Sequence, residues 1–159
     1  MNNVTFTVNK ANVYDEVAKT SAYAGSKAEN PAVSYERYFA KDEDRLALER
    51  FWAEACNAAT DLFKPFILSV SDNTPGAGSD IANNYVVALE LSGSYDTSLN
   101  GSVADSLFSF FSNFIAGKWF KYINKEEASS YATDAAGMLD DVRSKIYFRK
   151  KPRRVAPTE

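Results

Sequence analysis

Histidine is absent from this 159-residue chain, and cysteine occurs once, at Cys56. Those two shortages remove Ser–His–Asp and Cys–His catalysis, histidine-ligated metals, cysteine-cluster zinc and any intramolecular disulfide. Glycine and proline are scarce too, at seven and five residues, which excludes collagen-like, low-complexity and disordered readings. Long apolar runs are also missing. The most apolar stretch, Val103 to Ile123, is broken by Asp105, Asn113, Lys118 and Lys121, each expensive in a spanning helix, so no membrane is expected among its partners. Met1-Asn2-Asn3-Val4-Thr5 has no basic patch ahead of an apolar run, so it does not read as a secretory signal and synthesis in the cytoplasm is expected.

What is present implies packing. The chain is 45% hydrophobic and carries 11 Phe, 9 Tyr and 2 Trp, enough for one ordinary globular core. The expected organisation is a single domain over residues 1–148 followed by an arm, 149–159. Cys56, set among Ala53, Ala55, Ala58 and Ala59, reads as a packed core thiol. Charge is unevenly spread: residues 1–142 hold 11 basic and 20 acidic side chains, whereas 143–159 hold seven basic and one acidic. An acidic body thus carries a basic tail.

Val4-Thr5-Phe6-Thr7-Val8 alternates as a strand with Val4, Phe6 and Val8 inward. Asn12 is the expected cap of a helix over Val13 to Ala24, with Gly25 as its stop. Residues 31–41 are ambiguous between helix and strand. A helix is expected over 43–64, begun by Asp42, Glu43 and Asp44, where the helix dipole favours negative charge, and ended by Lys64-Pro65. Its apolar stripe comprises Leu48, Phe51, Trp52, Ala55, Ala59, Leu62 and Phe63, with Arg45, Glu49 and Asp61 off it. Phe66 to Val70 and Tyr85 to Leu91 read as strands, and the loop 72–84 between them reads equally as a contact surface or a mobile connection.

A buried helix over 98–123 follows from Leu99, Val103, Leu107, Phe110, Phe111, Phe114, Ile115, Trp119 and Ile123. Trp52 and Trp119 are the expected core anchors. Asn124, with Glu127 three residues on, forms a capping box that starts a second helix over 125–147, with Tyr131, Ala135, Met138, Leu139, Val142 and Ile146 on its apolar face. The two helices form either an antiparallel pair or one sharply bent helix. The whole is an α+β fold: three main helices packed with a small antiparallel sheet, and a basic extended C-terminal arm.

Candidate chemistry is thin. Asp42, Glu43 and Asp44 have a sufficient role at a helix start, and the adjacent Asp140 and Asp141 point in different directions, which is poor geometry for a shared metal. Gly76-Ala77-Gly78-Ser79 lacks the lysine of a phosphate loop. No catalytic, cofactor-binding or metal-ligating residue is expected, and no cofactor. The one distinctive feature is the arm, where Arg149, Lys150, Lys151, Arg153 and Arg154 cluster around Pro152, with Pro157 beyond. Such a run is by default a solvated tail; where it binds, it takes phosphates or an acidic protein surface, and the acidic body weighs toward protein. Tyr14, Tyr23, Tyr35, Tyr38 and Tyr95 fit an interface and ordinary packing nearly equally.

The order Ala11-Asn12-Val13-Tyr14-Asp15-Glu16-Val17-Ala18-Lys19-Thr20-Ser21-Ala22-Tyr23-Ala24-Gly25, then Asp42-Glu43-Asp44-Arg45 running into Leu48-Glu49-Arg50-Phe51-Trp52-Ala53-Glu54-Ala55, resembles small structural proteins of phages and prophages of gut Bacteroidota. The nearest class is the head–tail connector or neck ring, including those of crAss-like phages, and the similarity covers mainly the first 65 residues. It implies a non-enzymatic virion protein that forms a ring of its own copies between portal and tail, touching portal and neighbouring neck or tail proteins, with DNA able to pass through the ring. Helical connectors of this kind use terminal arms to grip adjacent rings. The strands depart from the purely helical form of that family, so the particular ring, or a tail-completion role, stays open. The alternative from another class is a nucleic-acid-associated phage accessory protein whose arm binds phosphates.

Overall fold

A computed structural model describes residues 1–27, 45–71 and 84–157. The order is β1 (Asn2–Val8), α1 (Lys10–Lys27), α2 (Arg45–Phe63), β2 (Ile67–Val70), β3 (Tyr85–Leu91), α3 (Asn100–Phe120) and α4 (Lys125–Tyr147), with single 3₁₀ turns at Lys64–Phe66 and Thr97–Leu99. Among the described residues, four helices and one three-stranded antiparallel sheet make this an α+β fold, as the apolar periodicities require. The carboxylates Asp42, Glu43 and Asp44, the ambiguous segment 31–41, Tyr35, Tyr38, Gly76 to Ser79 and nearly all of the loop 72–84 lie outside the described residues.

The sheet runs β1-β3-β2. Val4, Phe6 and Val8 sit opposite Leu89, Val87 and Tyr85, so the apolar positions of both strands share one buried face. Asn3, Thr5 and Thr7 face outward. The third strand is short and irregular, with a bulge between Ile67 and Ser69 that leaves Leu68 54% exposed.

After Val8 a single residue turns the chain into α1. Asn9, not Asn12, is its cap: the Asn12 backbone N–H donates to Asn9 Oδ1 at 3.0 Å, and Val13 N–H donates to the Asn9 carbonyl. The first turn is fixed further by Lys10, whose N–H donates to Asn84 Oδ1 and whose ammonium reaches Glu49 on α2. Gly25 does not stop the helix, which continues to Lys27. A glycine inside a helix costs only about 1 kcal/mol, too little by itself to end one.

The core lies between the buried sheet face and α3, which packs against β1, α1, α2 and α4. Phe111 is its centre, with ring centroids 4.9 Å from Trp52, 5.4 Å from Tyr85 and 5.6 Å from Phe110. Trp52 is an anchor, 2% exposed. Trp119 is only half-buried, at the margin of the cluster rather than within it. Its helical spacing is right, but near the end of α3 fewer elements are available to cover it.

α3 ends at Phe120, three residues earlier than its spacing suggests, because the Ile123 and Asn124 N–H groups both donate to the Phe120 carbonyl. Asn124 Oδ1 then accepts from Glu126 and Glu127 N–H, so half of the expected capping box forms. The reciprocal half is replaced by the bond from Asn124 N–H to Phe120. The two helices form an antiparallel pair: near the turn, Gly117 lies against Ala128 and Ala132, and at the far end Ser106 meets Asp141 and Lys145. A Cβ on Gly117 would stand 3.4 Å from the Ala132 nitrogen, so glycine sets how closely α4 approaches.

Candidate functional site

The arm leaves α4 through a defined root. Phe148 has extended backbone, and its N–H donates to Lys145 O, closing the last turn of the helix. Arg149 turns back on the helix it follows: its guanidinium donates to the carbonyls of Ile146 at 2.9 Å and Phe148 at 3.1 Å. A cation there also suits the negative end of the helix dipole. Lys150 makes two contacts with the turn after β3. Its backbone N–H donates to Ser94 O at 2.9 Å, and its ammonium lies 3.2 Å from Asp96 Oδ1. Asp96 is held below the usual carboxylate range, chiefly by hydrogen bonds from the Ser98 hydroxyl and N–H and then by Lys150.

The five expected arm cations therefore divide. Arg149 and Lys150 build the root, while Lys151, Arg153 and Arg154 are presented to solvent on backbone without regular structure. Tyr147 and Phe148 are half exposed beside them, and Tyr147 stacks edge-on against Phe66 at 5.3 Å. The same turn also receives β1: the Asn2 side-chain amide donates to the carbonyls of Ser92 and Tyr95.

Two polar clusters went unnoticed in the sequence. Ser106 on α3 donates to Asp141 Oδ2 at 2.6 Å and accepts from Lys145 Nζ at 3.0 Å, while Lys145 and Asp141 are themselves ion-paired one turn apart on α4. A serine beside a lysine suggests a nucleophile with its base, but a base must be a neutral amine. Here the lysine is paired with Asp141, whose carboxyl its hydrogen-bond partners hold below the usual range, and the trio bridges two helices. Asp140 turns away toward Arg143, which confirms the divergence of the two neighbouring aspartates.

The second cluster is deeper. Lys10 is 3% exposed, and its ammonium pairs with Glu49, whose other oxygen accepts from Tyr14 OH at 3.1 Å. The ammonium also lies 6.0 Å from the Trp52 ring, a cation–π distance. Glu49, off the apolar stripe of α2, faces α1, where the buried lysine needs a counter-charge. The cluster joins residues 39 positions apart, and no local pattern announces it. Cys56 lies below in the core, its thiol pushed up by burial and therefore unreactive. Of the surplus tyrosines, Tyr95 is buried with its hydroxyl on Asn100 Oδ1, Tyr14 is half-buried, and Tyr23 is exposed.

A groove of about 550 Å³ lies where α2, α3 and α4 meet, lined by Ala58, Phe114, Ala132 and Leu139 with Lys118 and Lys121. Its lining is mostly apolar, with Lys118, Lys121 and Ser129 as the polar members. No group of three or more metal-ligating side chains gathers among the described residues, and none of the described helices is long and apolar enough to cross a membrane. No protein-family model, curated protein or solved structure matches the chain.

Proposed function

We propose that the protein is a non-enzymatic structural subunit that assembles with its own copies, and that its setting is the virion of a phage, as a head-to-tail connector, adaptor or neck-ring subunit between portal and tail. The observation that carries this reading is the anchored basic arm: Lys150 is tied to Ser94 and Asp96, so Lys151, Arg153 and Arg154 are held outward from a body with 20 acidic and 11 basic side chains. A subunit whose projecting segment and body have opposite charge has a natural partner in its neighbour. Pro152 and Pro157 limit the entropy that the arm loses on docking. Its resemblance in residues 11–25 and 42–55 to connector proteins supplies the phage setting.

The test is to neutralise Arg149, Lys150, Lys151, Arg153 and Arg154 to glutamine and follow self-association by sedimentation across a salt series. Assembly should weaken, and more at low salt than at high, because screening over about 8 Å at physiological salt already suppresses exposed ion pairs. Unchanged assembly combined with lost affinity for duplex DNA and a reduced salt slope would replace this reading with phosphate binding.

A further inference from the structure

Among the described residues the sheet has three strands, and its two edges lack the usual guards against pairing. Exposed edges are commonly protected by charged side chains or proline. Here neither edge strand contains either: β1 reads Asn-Asn-Val-Thr-Phe-Thr-Val and β2 reads Ile-Leu-Ser-Val. The charged residue of the sheet, Glu90, stands on the central strand, where no edge needs guarding. Among the described residues, no strand pairs with the outer side of β1 or of β2.

The two edges differ in a complementary way. β1 offers seven regular residues, all paired to β3 without a bulge, with uncharged Asn3, Thr5 and Thr7 on the outer face. β2 is shorter, and its bulge presents apolar surface: Leu68 is 54% exposed and Val70 41%. Half-exposed Tyr147 adjoins the start of β2 through Phe66. Large side chains left open together on one side of a domain mark a contact surface.

We infer that the β2 edge of one copy adds to the β1 edge of the next, so that the sheet continues from subunit to subunit. This rests on the self-assembly reading above and names its main contact. Copies repeated by one rotation must bring two different surfaces together, and the two edges of one sheet are such a pair. β1 and β2 are both antiparallel to β3 and hence run the same way, so copies related by that rotation join them as a parallel ladder. Charge complementarity supports the same occupant. Neither strand carries a charged side chain, and the complementarity lies between the neighbour's acidic body and the basic arm, which is rooted at the turn where β3 ends.

Two variants at exposed positions test it, one closing each edge: Thr5→Lys with Thr7→Lys on β1, and Leu68→Lys with Ser69→Lys on β2. Thermal melting first confirms that each folds, and sedimentation velocity then reads assembly. Each variant alone should be monomeric where the unaltered protein associates, with the association midpoint moved by at least about tenfold in concentration. Mixed, the two should form a one-to-one dimer and stop, since each retains the edge the other lacks. If β2-edge variants still pair with themselves while β1-edge variants do not, the contact is β1 against β1 and the inference is overturned. If both variants associate like the unaltered protein, the edge contact falls while arm-driven assembly stands. An unaltered protein that remains monomeric at every concentration overturns both.

Discussion

α3 and α4 are neighbours of nearly equal length, 21 and 23 residues, yet ten residues of α3 are buried and only three of α4. α3 is enclosed on several sides by β1, α1, α2 and α4, so most of its circumference is apolar. α4 lies on one flank of the bundle, so only Ala135, Val142 and Ile146 need be apolar and fully covered while the opposite face keeps its charges. A central helix specifies the fold through shape; a peripheral one depends on its ends and on a few polar ties. Substitutions should separate these two modes.

The largest effect is expected at the centre. Phe111→Ala removes the ring that meets Trp52, Tyr85 and Phe110 and should cost about 3–5 kcal/mol in chemical denaturation. Trp119→Ala, at the half-buried margin of the same helix, should cost less, about 1–3 kcal/mol. Equal losses at the two sites would show that α3 is enclosed along its whole length and would sharpen its contrast with α4.

On α4 the end should matter more than most of the face. Asn124→Ala removes the acceptor for Glu126 and Glu127 N–H and should destabilise by about 1 kcal/mol, read from the same denaturation curves. A pH effect distinguishes core from flank again. Burial pushes the Tyr85 phenol up to about 12, above its usual value near 10, so its neutral form favours the fold. That contribution is complete below the unfolded value and declines as pH rises from about 10 toward 12. Tyr85→Phe should therefore lessen the alkaline loss of stability over that interval, at some cost from the bond to Thr60. The smallest effect belongs to the arm. Ending the chain after Phe148 should preserve cooperative melting with a shift of no more than a few degrees, since residues 149–157 are exposed. Loss of a cooperative transition would instead make the arm part of the domain.

The same contrast explains what could be read from the sequence. Period-two alternation identified β1, and three- and four-residue spacing identified Val103, Leu107, Phe110, Phe111 and Ile115 as core, because burial on this scale leaves a local imprint. Asn124 was legible for a similar reason: caps act within three residues. The Lys10–Glu49 pair and the Ser106–Asp141–Lys145 bridge depend on distant partners, so their local patterns resemble ordinary surface charge. The start of α1 was misplaced because Asn9 and Asn12 are chemically equivalent caps, and only the end of β1 decides between them. The composition of the arm was plain, but its division into a fixed root and outward cations required Ser94 and Asp96, more than 50 positions away.

The turn at residues 92–96 receives Asn2 from one direction and Lys150 from the other. Mechanically it is a junction. Tension along the arm meets Lys150 before it reaches α4, so the turn, and through it the beginning of β1 and the end of β3, shares the load with the last turn of the helix that Arg149 holds.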